Sequence, residues 1–344
     1  MPLNINIVER MAHYRVAGLS AAFIRQGQLS AAESFGVLEQ GASHLVNSDT
    51  IFNACSISKF LTSMLVMKLV EDGLLALDED VNDRLTSWKV PGHPWTASSK
   101  VTLRKLLSHQ AGIVDPEGGF GELHSKALFP PMVTLLEGET TYCKVPIKVE
   151  YEPGSDFQYS DAGYCIIQQL IEDVSGKPFE IVMSELIFEP LHMNNSTFRP
   201  SLLEAMSGRV CCGHDKQGKA VEGKYPVYPY PAAAGLWTTP SDLAILVVEL
   251  MNALKDQSEI GLSASYAKEL VTPQGVTEWT GLGLFLDHSK HELEISSLGW
   301  GVGFQCMLVA FPYTGTGTVI MTNTDLGIHQ LKGMIGEMLS PPRG

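Results

Sequence analysis

The feature that most constrains this chain is the segment from Ser56 to Asp72, which is apolar on nearly every side of a helical wheel. Ile57, Phe60, Leu61, Met64, Leu65, Val66, Met67, Leu69 and Val70 leave no polar stripe for solvent. Such a helix belongs inside a protein, and Gly73 is a natural stop for it. At 344 residues the chain is long enough to bury it in one large domain or two interleaved ones.

What surrounds the helix follows from periodicity and turn chemistry. Gly18 to Arg25 and Leu29 to Gly36 read as strands joined at Gln26-Gly27-Gln28. Val101 to Leu107 and Ala162 to Val174 read as helices, and Thr239-Pro240-Ser241-Asp242 is a capping signal for another. Strands are expected again at 281–286, 293–297, 304–311 and 316–322, with a closing helix over 327–339. Strands at both ends and helices between them predict an α/β fold. Residues 1–55 and 240–344 would form the α/β part. Residues 56–239 would be an inserted, mostly helical domain, with the active site between the two.

Composition removes several functional classes. A net charge of −14 with no Lys/Arg cluster argues against a nucleic-acid partner. No apolar run approaches the roughly 18–20 residues that span a bilayer. The N-terminal stretch lacks a basic segment followed by an apolar one, so a cytoplasmic protein is expected. An exported protein whose leader lies outside this sequence would read the same way. Cys55, Cys143, Cys165, Cys211, Cys212 and Cys306 show no framework spacing and are expected to be reduced, mostly buried thiols.

The helix opens with Ser56-Ile57-Ser58-Lys59. Residues three apart share a helix face, so hydroxyl and amine can meet, and the helix start favours developing negative charge. Desolvation on so apolar a helix would disfavour the ammonium form of Lys59, leaving an amine able to accept a proton. The pattern alone is weak, because Ser265-Tyr266-Ala267-Lys268 also fits it. Only the first copy opens a buried helix. Tyr159-Ser160-Asp161 adds a phenol that, beside a lysine, can act as general base; the bland reading is a turn capped by Asp161. Cys211-Cys212-Gly213-His214 is poorly spaced for a metal ion, and neither metal nor cofactor is expected.

Taken together, 50–59, Val101–Gly112, Phe157–Tyr164, Val174–Phe179, Pro190–Met193, Ala233–Thr239 and Gly281–Gly283 resemble, in order, the penicillin-binding protein and class C β-lactamase-like serine hydrolases. That superfamily includes family VIII esterases and D-amino-acid peptidases. The resemblance implies a β-lactamase/transpeptidase-like fold, an antiparallel sheet flanked by helices. It implies catalysis by Ser56, Lys59 and Tyr159, and an oxyanion hole of the Ser56 and Trp300 backbone N–H groups. Asp161, Ser297 and Gly299 would contact substrate, with Gly299 letting it lie close to the strand.

Two positions depart from the family pattern. Ser297-Leu298-Gly299 stands where Lys-Thr-Gly or His-x-Gly is usual, and Asp161 replaces Asn. Both changes argue against substrates with a free carboxylate. The expected function is hydrolysis of an ester or amide in a small molecule or short peptide, with esterase-like activity favoured. The alternatives are a D-amino-acid peptidase, carboxypeptidase or weak β-lactamase, or a binding protein on this fold that has lost turnover. Oligomeric state stays open.

Overall fold

A computed structural model describes residues 5–122, 129–199, 201, 206, 208–289 and 291–340. Eight strands are found among them. Strands β1 (Gly18–Arg25), β2 (Gln28–Gly36), β5 (Phe285–Asp287), β6 (Glu294–Gly301), β7 (Phe304–Phe311) and β8 (Thr316–Thr322) form one antiparallel sheet in the order β2-β1-β8-β7-β6-β5. Both ends of the chain therefore build the same sheet. The short strands β3 (Phe52–Cys55) and β4 (Leu236–Thr238) pair outside it. The β1–β2 turn holds Gln26 and Gly27 at φ 53° and 70°, the left-handed pair that a two-residue hairpin needs.

Strand alternation divides the side chains between two layers. Leu19, Ala21 and Phe23 of β1 join Met307 and Ile320 against helices Ile7–Tyr14 and Met334–Leu339. Ala22 and Ile24 face the other way with Cys306, Leu308, Val319 and Met321, where helix Pro240–Ala253 crosses β1, β2 and β8. This second layer is continuous with the interior of the helical part, where Ser58–Glu71 packs on Pro231–Ala234 and Asp161–Ser175 packs on Leu103–Leu107. No helix of the described residues is long and apolar enough to cross a membrane.

Local differences from the sequence reading have physical reasons. The buried helix starts at Ser58, leaving Ser56 and Ile57 in the turn before it. The strand expected over 281–286 shrinks to β5. Gly281–Leu284 is instead a bend whose backbone is claimed by other elements: Leu282 N donates to Leu270 O and Gly283 N to Leu107 O. Gly283 has φ 72°, and a Cβ there would lie 2.0 Å from Ser63 Oγ. The closing helix is shorter, since the extended Gly333 separates a turn at Gln330–Lys332 from Met334–Leu339.

Candidate active site

The turn after β3 delivers Ser56. Asn53 Oδ1 accepts from Cys55 N (2.8 Å), and Cys55 itself takes φ 48°, a conformation rare for a residue with a side chain. Ser58 Oγ donates to Cys55 O (2.6 Å) and accepts from Leu236 N (3.0 Å), tying the turn to β4. Ser56 thus precedes the first helical residue, half-buried, with Lys59 one turn further in.

Lys59 is only 3% exposed, and its Nζ has three acceptors: Ser56 Oγ at 3.2 Å, Ala233 O at 3.0 Å and Asp161 Oδ1 at 2.5 Å. The ammonium also lies 4.7 Å from the Tyr159 ring centroid and 5.5 Å from that of Tyr164. Burial pulls the amine toward its neutral form, but the charge of Asp161, with Tyr159 and the hydrogen bonds, outweighs it and raises the pKa above the ordinary lysine value. This reverses the expectation of a neutral amine. An apolar helix disfavours the charge, and a carboxylate from another helix restores it.

Asp161 is the first residue of helix Asp161–Ser175, and Asp115 fixes that helix start. The Asp115 carboxylate accepts from Ser160 Oγ (2.9 Å), Asp161 N (3.0 Å) and Ala162 N (2.8 Å), satisfying donors that a helix leaves unpaired. Burial first, and then the charge of Asp161, push the Asp115 carboxyl upward against those hydrogen bonds.

Tyr159 is clamped between Lys59 and His109, whose ring stacks on it at 4.3 Å and 28°. His109 Nδ1 accepts from Ser160 N (3.1 Å), which places the ring proton on Nε2. Burial, and next the Lys59 charge, hold this imidazole well below 6.5. The Tyr159 phenol is raised, chiefly by burial; the Lys59 charge opposes the rise and that of Asp161 adds to it.

Ser56, Lys59 and Tyr159 share a narrow cleft with Leu107, His109, Thr280, Gly281, Gly283, Leu284, Phe285, Ser297 and Leu298. Its free volume of about 20 Å³ has room for roughly one water. The structure therefore brings Ser297 (5% exposed) to the expected nucleophile, while Asp161 stands behind it, bonded to Lys59. Phe157, Trp279 and Phe285, the last of which lines the cleft, form a chain of ring contacts leading from His109.

The remaining sequence candidates have clear positions. Gly299 has a packing role of its own: a Cβ would lie 2.2 Å from Ala54 O and 2.3 Å from Cys306 Sγ, so β3 crosses where a side chain would stand. The β6–β7 hairpin turns at Val302-Gly303, and alternation from the Gly301–Phe304 pair points the Trp300 N–H away from β7. Among the described residues, pairing of that edge of β6 with β5 ends at Ser296. The Trp300 indole donates to Asp325 Oδ1 (2.8 Å). All six cysteines are buried and unbridged. His214, of the Cys-Cys-Gly-His run, has both ring nitrogens engaged, by Asn323 O (2.8 Å) and Gln40 N (3.0 Å).

Comparison with known proteins agrees with this architecture. The β-lactamase family model matches residues 3–336. Penicillin-binding protein 4 of Amycolatopsis lactamdurans is 29% identical over 208 residues, which are 58% of this chain and 49% of that protein. The N-acetylmuramyl-L-alanine amidase of Bacillus subtilis is 24% identical over 309 residues, 82% of this chain and 67% of the relative. The chain spans about half or less of the first curated relatives it matches. Among solved structures, the octameric penicillin-binding protein homologue of Pyrococcus abyssi superposes with a TM-score of 0.73 at 26% identity, covering 92% of this chain and 72% of the other. The D-amino acid amidase of Ochrobactrum anthropi SV3, complexed with L-phenylalanine amide, gives 0.76 at 22% identity over 97% and 94% of the two chains, a likeness of fold. With its fold, its serine–lysine–tyrosine cluster and a family match over nearly the whole chain, the protein belongs to the β-lactamase family of serine hydrolases.

Proposed function

We propose that the chain hydrolyses an ester or amide through an acyl-enzyme on Ser56, with esterase-like activity favoured. The observation that carries this reading is the meeting of Ser56, Lys59 and Tyr159 in one cleft, beside a neutral Ser297 where the family usually has a cation. Ser56 Oγ attacks the carbonyl carbon and its proton passes to the Tyr159 phenolate, which the neighbouring Lys59 ammonium stabilises. The carbonyl oxygen becomes an oxyanion that the Ser56 and Trp300 N–H groups would receive. Each such donor contributes about 3 kcal/mol of transition-state stabilisation. The carbon–oxygen or carbon–nitrogen bond then breaks, and Tyr159 returns the proton to the leaving group. Water repeats the sequence, releasing the acid and restoring Ser56. The apolar wall of Leu107, Leu284, Phe285 and Leu298 favours a hydrophobic substituent on the acyl donor.

A second reading, an amidase or peptidase for D-amino acids or a weak β-lactamase, draws support from what the relatives are named for. A third is a binding protein without turnover. Intact-protein mass after a fluorophosphonate, benzylpenicillin and p-nitrophenyl acetate separates all three, with Ser56→Ala as control. A fluorophosphonate adduct on wild type alone together with rapid ester turnover is the expected result. A lasting penicillin adduct moves the reading to the second, and no adduct on folded protein moves it to the third.

A further inference from the structure

We infer that Asp161 sets the charge of the substrate: by compensating the one cation found among the described residues of the cleft, it restricts the site to acyl donors without a free carboxylate. This deepens the proposed hydrolase reading and rests on it. Among the described residues lining the cleft, only Lys59 and His109 can carry positive charge. His109 is neutral, its Nδ1 being an acceptor for Ser160 N. Lys59 is charged, but a carboxylate 2.5 Å away compensates it, and its remaining N–H groups are taken by Ser56 Oγ and Ala233 O.

The pair cannot easily open. Asp161 begins a helix whose first N–H groups are locked by Asp115, and Lys59 is buried among the Tyr159 and Tyr164 rings. An incoming carboxylate would lose its water against leucine and phenylalanine walls and meet a neutral ion pair, with a second carboxylate, Asp115, behind it. Ser297 offers a hydroxyl there and no charge. An ester or amide oxygen carries no such desolvation penalty. Changing Asp161 to an amide of the same shape leaves Lys59 free to compensate a charge on the substrate instead.

The test is a matched pair of p-nitrophenyl succinates, one with its second carboxyl free and one with it methylated, measured as kcat/KM on wild type and Asp161→Asn. Wild type is expected to prefer the methylated ester by about tenfold or more, and Asp161→Asn to compress that ratio by about tenfold. A wild-type ratio near one overturns the inference without any variant. So does an unchanged ratio in a variant that melts as a folded protein. A purely structural role for Asp161 would lower both rates together and leave the ratio alone. If the wild type takes neither ester and no fluorophosphonate, the hydrolase reading fails by itself. Saturation-transfer NMR of the same two succinates then reads the charge preference directly, and equal binding by both proteins overturns it.

Discussion

The same four-residue pattern occurs twice in this chain and is two different things. Ser56-Ile57-Ser58-Lys59 bridges a strained turn and a buried helix, with the lysine enclosed by a carboxylate, a carbonyl and two phenol rings. Ser265-Tyr266-Ala267-Lys268 lies on the short helix Ala264–Leu270 with both its serine and lysine exposed, and Ser265 Oγ turns to Ser263 Oγ at 3.0 Å. Spacing brings a hydroxyl and an amine to one face in either place. Only the first copy has partners from distant segments that fix where the proton and the charge reside. Chemistry is therefore a property of the enclosure, and the tetrapeptide is a necessary part of it.

Replacing each lysine by methionine gives the sharpest contrast. Lys59→Met leaves Asp161 without its partner beside an apolar cleft and removes the cation next to Tyr159. The expected cost is about 2–4 kcal/mol of stability, with hydrolysis falling by about 10³-fold or more. Lys268→Met is expected to stay within about 0.5 kcal/mol and to keep its activity. Urea denaturation and ester kinetics on the two variants check this. Similar costs at both sites would break the argument from burial.

Tyr159→Phe asks whether the enclosure works through the ring or the hydroxyl. The ring would still stack on His109 and cover Lys59, so the stability change should be about 1 kcal/mol or less. Acyl transfer should fall by about 10²–10⁴-fold. Because the Tyr159 phenol is raised, the wild-type rate should climb with pH through the alkaline range as phenolate forms, and the variant should lose that climb. Stopped-flow acylation across pH reads both effects. A variant that keeps the alkaline rise would assign the proton to another group.

Much of this was legible before the fold was known, for reasons that differ by region. β1, β7 and β8 follow from short apolar runs bounded by turn residues, and β7 and β8 occur over the expected spans. Ser56 and Lys59 stand out because their motif opens a helix too apolar for the surface, whereas Tyr159 stands out only through the resemblance of Phe157–Tyr164 to the family. Asp115 was not, since it meets Asp161 across 46 positions and no local pattern marks a carboxylate that caps a remote helix. The charge of Lys59 is hidden from the sequence for a related reason: helix composition reports desolvation, and the compensating carboxylate comes from 102 residues away. The bend at Gly281–Leu284 reads as strand in the sequence because its backbone partners, Leu270 O and Leu107 O, are equally remote.

The smallest effect concerns His109, in the loop after helix Leu103–Leu107. Its ring is packed with Phe157, Tyr159 and Tyr164, faces the Lys59 charge, and accepts from Ser160 N, so protonation would cost a hydrogen bond and a buried charge. The folded pKa is depressed below 6.5, so the unfolded chain takes up this proton first as pH falls. The stabilisation is complete above about pH 6.5 and erodes below it, approaching about 1.4 kcal/mol per pH. The raised Asp115 carboxyl acts in the opposite sense, holding its proton more tightly when folded, so the wild-type curve alone does not isolate the histidine. His109→Asn keeps a residue that tolerates the φ of 59° found there. The stability gap between wild type and variant, from urea denaturation, should narrow by about 1–2 kcal/mol between roughly pH 7.5 and 5. A gap that stays constant would mean the folded protein accommodates the imidazolium, and the clamp on Tyr159 would then be softer than its stacking geometry implies.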